Sequence, residues 1–372
     1  MAKPRVLVVQ RILPPYRLPF FRRLAASPQM SVTVAYGEAA VGSALESVAT
    51  PSDLDVVRLG NLYGGRRELG VWQRGLLALV QSKLYDIVIA EFNLRIVSNV
   101  LGCLWRQRLP LQWIWWGHGI SPQSDALSRR FRVWLSRLAD ALIFYEATQQ
   151  AKFISWGVAQ EKTFVAPNSI ETEQIEPLVE PRAREARNRI LYIGRLTERK
   201  KVDLLIRGFA RACPQLPPQT RLTIVGDGPE RQALSQLAIH LGVSDDVEFV
   251  GALYQQEQLA PWFNSAWVSV SPGAIGLSAV HSLAYGVPLL IARNEAHGPE
   301  IGAIVEGEHG LFFDSGDVEG LSKQLVSTSN ESPRWTQMSQ AARCTVQERF
   351  SLTGMVNSFE QAIHYVQTTA HV

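Results

Sequence analysis

Two short apolar runs, Ala266 to Val270 and Val287 to Ile291, bracket the stretch Ser-Pro-Gly-Ala-Ile-Gly-Leu-Ser-Ala-Val-His-Ser-Leu-Ala-Tyr-Gly, Ser271 to Gly286. The runs have strand length and turn signals at their ends, so they read as buried strands. Between them, Ser271 to Gly276 makes a small-residue turn. Leu277 to Tyr285 then has helical character, closed by Gly286 with Pro288 just beyond. Strand, glycine-bearing turn, helix and strand make a βαβ unit. Such a turn aims backbone N–H groups and a helix dipole at a place where a phosphate can sit.

The same alternation runs through the chain. In the first half, strands are expected at Arg5–Val9, Val32–Tyr36, Ile87–Ala90, Gln112–Trp116, Ala141–Tyr145 and Thr163–Ala166. Helices fit near Pro19–Ala25 and at 71–83, 95–107, 125–138 and 147–156, while 38–70 reads as loop with weak strands. In the second half, strands are expected at Arg189–Ile193, Leu222–Val225, Val247–Phe249, Ala266–Val270, Val287–Ile291 and Leu311–Phe313. The helices between and after these strands fall at 202–212, 229–241, 255–263, 277–285, 317–327 and 333–348. This pattern predicts parallel sheets with helices on both faces. The charged, proline-bearing segment 172–188 reads as a linker. The expected organisation is therefore an α/β chain of two Rossmann-like, doubly wound domains facing a central cleft. An N-terminal domain spans 1–171 and a C-terminal domain spans 189–349; 350–372 form a final amphipathic helix.

A length of 372 residues suits two such domains, and 46% hydrophobic with 19% charged residues is globular composition. A net charge of +3 points to no nucleic-acid partner. Three scattered cysteines, Cys103, Cys213 and Cys344, make neither a disulfide framework nor a zinc site and suit a reducing cytoplasm. The N-terminal apolar stretch is five residues of strand rather than a signal-peptide core, and no segment reaches the roughly 18 apolar residues of a membrane span. Asp53-Leu-Asp55 has the spacing of a metal-binding pair but no nucleotide-binding context.

Arg195 and Lys200 lie in Ile193-Gly-Arg-Leu-Thr-Glu-Arg-Lys, at the carboxyl end of a strand. Two cations there suit a diphosphate; the alternative is a solvated basic loop ahead of a helix. Gly226-Asp-Gly-Pro is either a close backbone approach to a ligand or an ordinary tight turn. His118, in Trp115-Trp-Gly-His-Gly, ends a first-half strand between glycines, while Trp113, Trp115 and Trp116 read as core. Leu127, Phe131, Trp134, Leu138 and Ala141 recur at helical spacing among Arg129, Arg130, Arg132 and Arg137. That segment is either a core-facing stripe with a basic outer side or an interfacial helix for an anionic membrane surface, and Tyr16–Arg23 would extend such a patch.

Taken in order, these pieces resemble the retaining glycosyltransferases of GT-B architecture, family 4. The resemblance rests on Gly194-Arg-Leu with Lys200, Gly226-Asp-Gly-Pro, and Ser271-Pro leading into Gly276-Leu277. It continues through Ala284-Tyr-Gly-Val-Pro, Glu300 and Gly310 over about 189–345, and more loosely through Trp116-Gly-His-Gly and Pro167-Asn168. It implies that Arg195 and Lys200 hold the donor diphosphate, with Gly194, Gly226, Gly276, Leu277 and Glu300 around it. It also implies that His118 lies near the reacting sugar, that the final helix crosses back to the first domain, and that no metal cofactor is needed. The family places two glutamates eight positions apart, one on the sugar hydroxyls and one on the ribose. Here they are Gly273 and His281. His281 retains hydrogen-bonding ability for a ribose hydroxyl; Gly273 offers only its backbone, so Glu295 or Glu300 is an alternative sugar contact. Where many members carry a glycine pair in the first loop, this chain has Pro14-Pro15-Tyr16-Arg17, making Tyr16 and Arg17 acceptor-contact candidates. The expectation is transfer of a sugar from a nucleotide-diphosphate sugar to a glycan or lipid-linked acceptor, in surface polysaccharide biosynthesis. A nucleotide-sugar epimerase and a non-catalytic nucleotide-binding subunit are the alternatives.

Overall fold

The computed structural model describes residues 3–40, 47–64, 70–120, 125–181, 183–330 and 332–369. It divides into two compact units, Met1–Pro167 with Leu352–Val372, and Asn168–Ser351.

The strands of the first unit are β1 (Arg5–Ile12), β2 (Ser31–Gly37), β3 (Val56–Gly64), β4 (Gly70–Arg74), β5 (Ile87–Glu91), β6 (Gln112–Gly117), β7 (Ala141–Phe144) and β8 (Thr163–Val165). Its helices begin with α1 (Leu18–Ala25), α2 (Leu76–Gln81), α3 (Val97–Arg106), α4 (Ala126–Leu138) and α5 (Ala147–Ser155). The sheet order is β4-β3-β2-β1-β5-β6-β7-β8, parallel except for the β3–β4 hairpin. β1 is central because Val6 to Val9 are apolar on both faces and wholly buried.

The second unit opens with α6 (Thr172–Ile175). Its strands are β9 (Arg189–Ile193), β10 (Arg221–Val225), β11 (Val247–Gly251), β12 (Ala266–Ser271), β13 (Leu289–Ala292) and β14 (Gly310–Phe313). Its further helices are α7 (Val202–Ala212), α8 (Arg231–His240), α9 (Gln256–Ser265), α10 (Ser278–Ala284), α11 (Val318–Asn330) and α12 (Ser332–Arg349). The order β11-β10-β9-β12-β13-β14 is fully parallel. It is the Rossmann order, reversing direction between β9 and β12. The last helix, α13 (Leu352–Thr369), packs in the first unit, where Phe359 meets the Phe20 and Trp116 rings at 4.9 Å each.

Three expectations are corrected. The helix expected over 71–83 is a strand, β4, followed by the short α2, because Val71 and Gln73 are buried with their neighbours more exposed, a period of two. Gln73 is accommodated inside because its Nε2 donates to Gln10 O at 3.0 Å. Residues 172–188 are not a free linker: Ile175 is buried, and Arg184 and Arg187 lie over the Trp267 and Trp335 rings at 4.4 and 4.7 Å. Arg187 also donates to Ala266 O at 3.0 Å. Indole faces and carbonyls compensate those buried charges, which a reading of composition counts as solvated. Finally, the Tyr16–Arg23 segment does not extend a surface patch. Phe20 and Phe21 are buried, Arg22 pairs with Asp53 at 2.6 Å and Arg23 donates to Thr353 at 3.2 Å.

The α13 contact generates a stability prediction. Phe359→Ala removes a fully buried ring between two aromatic neighbours and should cost about 3–5 kcal/mol, read as a lowered denaturation midpoint in chemical unfolding.

Candidate functional site

Ligands of open parallel sheets bind beyond the carboxyl ends of the strands where strand order reverses. In the second unit that place is flanked by the loop after β9, Gly194 to Lys201, and the loop after β12, Pro272 to Leu277. The first is anchored by the Tyr192 hydroxyl donating to Arg195 O at 3.0 Å, which leaves the Arg195 side chain exposed. Lys200 Nζ crosses to the second loop and donates to Ala274 O at 2.5 Å. Burial, then the neighbouring Arg199 and Arg195 charges, push the Lys200 ammonium down to about 8.

Gly273 is where the two loops touch. A Cβ there would lie 2.5 Å from Arg199 O and 2.8 Å from Lys200 O, and Ala274 N donates to Arg199 O at 3.3 Å. The backbone of one loop thus occupies the space a residue-273 side chain would need, which explains why no carboxylate stands there. Gly226 has a parallel role: a Cβ would overlap the Gly194 carbonyl, and Gly194 N donates to Val225 O at 3.0 Å. Both Gly194 and Gly226 therefore serve loop-on-loop packing. Gly276, by contrast, has open space where a Cβ would be, and Leu277 beside it is half-buried at the start of α10.

His281 Nδ1 faces Leu277 O at 3.1 Å, so that nitrogen carries the proton, and Nε2 accepts from Gln256 Nε2 at 3.2 Å. Burial lowers its pKa, and its ring stacks over Phe263 within 7°. Both nitrogens are engaged. Gln256 Oε1 is buried and faces no donor among the described residues. Glu300 is buried and accepts from Asn168 Nδ2 at 2.9 Å, bringing together two family-like positions far apart in the chain. Glu295 is held instead by Lys201 at 2.6 Å and by Ser315.

Sequence reasoning missed His297. Its Nδ1 accepts from Ile275 N at 3.2 Å, its Nε2 donates to Ala292 O at 3.1 Å, and the next residue, Gly298, donates from N to Ile275 O at 2.8 Å. The β12 loop is therefore gripped at both polar groups of Ile275. Only a neutral imidazole can do this, and burial lowers the His297 pKa accordingly. Its place three residues before Glu300 was the available signal.

In the first unit, the ends of β1, β5, β6 and β7 bring together Arg17, Glu91, His118 and Tyr145. Arg17 Nη2 donates to the Tyr145 hydroxyl at 2.6 Å while its guanidinium lies 4.4 Å from the centre of the Trp116 ring. His118 sits over Tyr145 at 4.6 Å between ring centres; desolvation of its inner edge and the Arg17 charge lower its pKa. Burial pushes the Tyr145 hydroxyl up to about 12 and raises the Glu91 pKa, Glu91 accepting from Arg11 N at 2.7 Å. Tyr16 is exposed beside Arg17. Sequence reasoning therefore found Arg17 and His118 but not Tyr145, which joins them. Trp113, Trp115 and Trp116 are core. Asp53 pairs with Arg22 and Asp55 accepts from Thr33 at 2.5 Å, and no group of three or more metal-ligating side chains occurs among the described residues.

Two predictions follow from this geometry. Gly273→Ala should destabilise the second unit by about 1–3 kcal/mol through overpacking, and Gly273→Glu, with a larger side chain in the same closed space, should destabilise it further, both read by thermal melting. His297 binds fewer protons folded than unfolded once pH falls below about 6.5. The second unit should thus lose melting temperature from about pH 7 to about pH 5. His297→Asn, which keeps an acceptor for Ile275 N but does not titrate, should show a smaller loss across that range, with His281 and His309, also lowered by burial, accounting for the rest.

Comparison with known proteins adds a family match over part of the chain. Residues 176–345 match the family described as Glycosyl transferases group 1. The lipopolysaccharide core biosynthesis glycosyltransferase LpsE of Rhizobium meliloti is 30% identical over 177 residues, covering 47% of this chain and 49% of that protein. The N-acetyl-alpha-D-glucosaminyl L-malate synthase of Bacillus anthracis is 25% identical over 185 residues, covering 49% of this chain and 46% of that protein. The chain thus spans about half the length of these relatives. Among solved structures, Anabaena Alr3699/HepE in complex with UDP superposes with a TM-score of 0.70 at 18% identity, covering 98% of this chain and 100% of that one. The lipopolysaccharide outer core galactosyltransferase WaaB gives 0.66 at 15% identity, covering 97% and 99%. These likenesses show the fold, GT-B. The match over residues 176–345, just under half of the chain, contains the whole loop pair around Gly273 and makes that part similar to the group 1 glycosyl transferases.

Proposed function

We propose that this chain is a retaining, metal-independent glycosyltransferase that moves a sugar from a nucleotide-diphosphate donor to a glycan or lipid-linked acceptor in surface polysaccharide biosynthesis. The observation that carries the reading is the Arg195–Lys200 loop, fixed against the β12 turn at the strand-order reversal. Exposed Arg195 and half-buried Lys200 would offer two cations to a departing diphosphate, and partial burial of Lys200 would strengthen its hold on it. The relative solved with UDP and with UDP-glucose supports a nucleotide-sugar donor. The two lipopolysaccharide enzymes among the similar proteins support the pathway class.

In the proposed step, the bond between the sugar's anomeric carbon and the diphosphate oxygen breaks through an oxocarbenium-like transition state. The acceptor hydroxyl forms the new bond on the same face, and its proton passes to the departing phosphate oxygen. Arg195 and Lys200 stabilise the growing negative charge, with Gly276 and Leu277 at the open turn beside them; the side chains, rather than a metal, meet the diphosphate charge. In the first unit, His118 is assigned to the reacting sugar, and Tyr16 and Arg17 to the acceptor. Free Cys103, Cys213 and Cys344 favour a cytoplasmic setting.

The closed space at Gly273 and the engaged nitrogens of His281 favour a second reading, a nucleotide-binding subunit without turnover. Thermal shift with UDP, GDP, ADP and their sugar conjugates, followed by a turnover assay with the responding conjugate, separates the two. Arg195→Ala and Lys200→Ala should each weaken nucleotide binding by ten- to a hundred-fold, about 1.5–3 kcal/mol for a charged hydrogen bond. Because the protonated lysine holds the diphosphate, affinity should fall as pH rises through about 8, and Lys200→Arg should flatten that profile. Turnover undiminished by EDTA supports the metal-free mechanism. No stabilisation by any nucleotide would overturn the donor-site assignment.

A further inference from the structure

Helices α3 and α4 follow adjacent parallel strands and cover the same side of the first unit's sheet, packing against one another. Their inner faces are accounted for: Cys103 and Leu135 are buried in one apolar cluster with Trp113 and Trp115. Their outer faces are not polar. Val97, Leu101 and Trp105 recur every four residues along α3, and Leu127, Phe131 and Trp134 recur at helical spacing along α4; all six are exposed, Leu127 by 76%. Phe131 and Trp134 stack at 5.6 Å with 24° between their planes, a ready-formed aromatic ridge.

The charge within these two helices is of one sign, Asp125 at the N-cap of α4 lying just outside them. Neither helix contains an aspartate or glutamate, and together they carry five arginines. Two turn inward: Arg106 donates to Asp140 at 2.8 Å, and Arg132 to Gly119 O at 2.9 Å. Arg129, Arg130 and Arg137 stay exposed, Arg130 on the helix face of the aromatic residues, and Arg129 and Arg137 on the flank toward Trp156, over its ring at 5.9 Å and on its carbonyl at 3.0 Å. Two copies meeting here about a twofold axis would set arginine against arginine, which disfavours self-association. Among the described residues no helix is long and apolar enough to cross a membrane, so the chemistry is that of a helix pair lying in an interface, with aromatics at headgroup depth and arginines on lipid phosphates.

We propose that the outer face of α3 and α4 docks on an anionic lipid bilayer. The face lies outside the residues matched by the family, so vesicle binding can be measured independently of donor binding.

Flotation of the full chain with vesicles of phosphatidylglycerol and phosphatidylcholine tests this, against vesicles of phosphatidylcholine alone. The chain should float with the anionic vesicles, less so at high salt, and remain behind with the neutral ones. Arg129→Gln with Arg130→Gln should weaken binding about 25-fold, roughly five-fold per arginine. Phe131→Ser with Trp134→Ser should abolish it. Leu127→Ser, a single change at the most exposed position, should weaken it with an unchanged thermal melt by circular dichroism, which separates lost docking from lost folding. Equal flotation of wild type and all three variants would overturn the proposal. So would failure of the wild type to float, or self-association that disappears in Phe131→Ser with Trp134→Ser.

Discussion

The second unit depends on one close approach, that of the Gly273 backbone to the Arg199 and Lys200 carbonyls. Strand order reverses at this point, so the loops after β9 and β12 leave adjacent strands and their helices run to opposite sides of the sheet. A crevice would normally open between them. Here the two backbones meet, and the contact sets the position of Lys200, whose ammonium reaches Ala274 O across it. Any side chain at 273 would push the lysine's own backbone away. The cation's placement and the absence of a family-like glutamate are therefore one constraint seen from two sides. Without a carboxylate at 273, no acidic side chain from that position faces the positive charge of the β9 loop.

The same substitution of neutral for acidic groups recurs nearby. His281 stands at the other glutamate position and is kept neutral by burial, its two nitrogens spent on Leu277 O and Gln256. His297, also neutral, holds Ile275 from the β13 side. Neutral imidazoles order a turn as well as carboxylates do, provided each nitrogen finds a partner of the correct kind, and they add no negative charge. What remains negative is Glu300, tied to Asn168, and Glu295, tied to Lys201 and Ser315. The order of the turn thus comes from hydrogen bonds whose donor and acceptor roles are fixed by tautomer, without added negative charge.

The Rossmann strands of the second unit were legible because continuous apolar runs bounded by glycine and proline leave few other readings. Strand β4 was not, since Val71-Trp72-Gln73-Arg74 hides a buried glutamine that only its bond to Gln10 O makes tolerable. The buried Arg184 and Arg187 were read as linker because nothing local announces that Trp267 and Trp335, over a hundred positions away for the latter, will receive them. Phe20 and Phe21 face the same difficulty: their burial is decided by α13, at the far end of the chain. Among candidate site residues, Arg195, Lys200 and His118 were visible as charges or a lone imidazole at strand ends. The work of Gly273 and His297 lies in backbone contacts, which residue type alone does not reveal.

The first unit meets a similar demand with different chemistry. In the loop after the first strand, Pro14 and Pro15 remove two backbone donors. The proline at the start of the 3-10 turn fixes the chain so that Arg17 N donates to Pro14 O at 3.0 Å. The Arg17 guanidinium then lies over Trp116, itself packed between Phe20, Tyr145 and Phe359. A planar cation on an aromatic face, with one edge on the Tyr145 hydroxyl, has little rotational freedom left to lose. Positive charge at this strand end is thereby supplied by a side chain whose orientation depends on the hydrophobic core. The ring stack that stabilises α13 and the cation beside His118 are consequently coupled through Trp116, and a change in the core beneath it would be felt at the site.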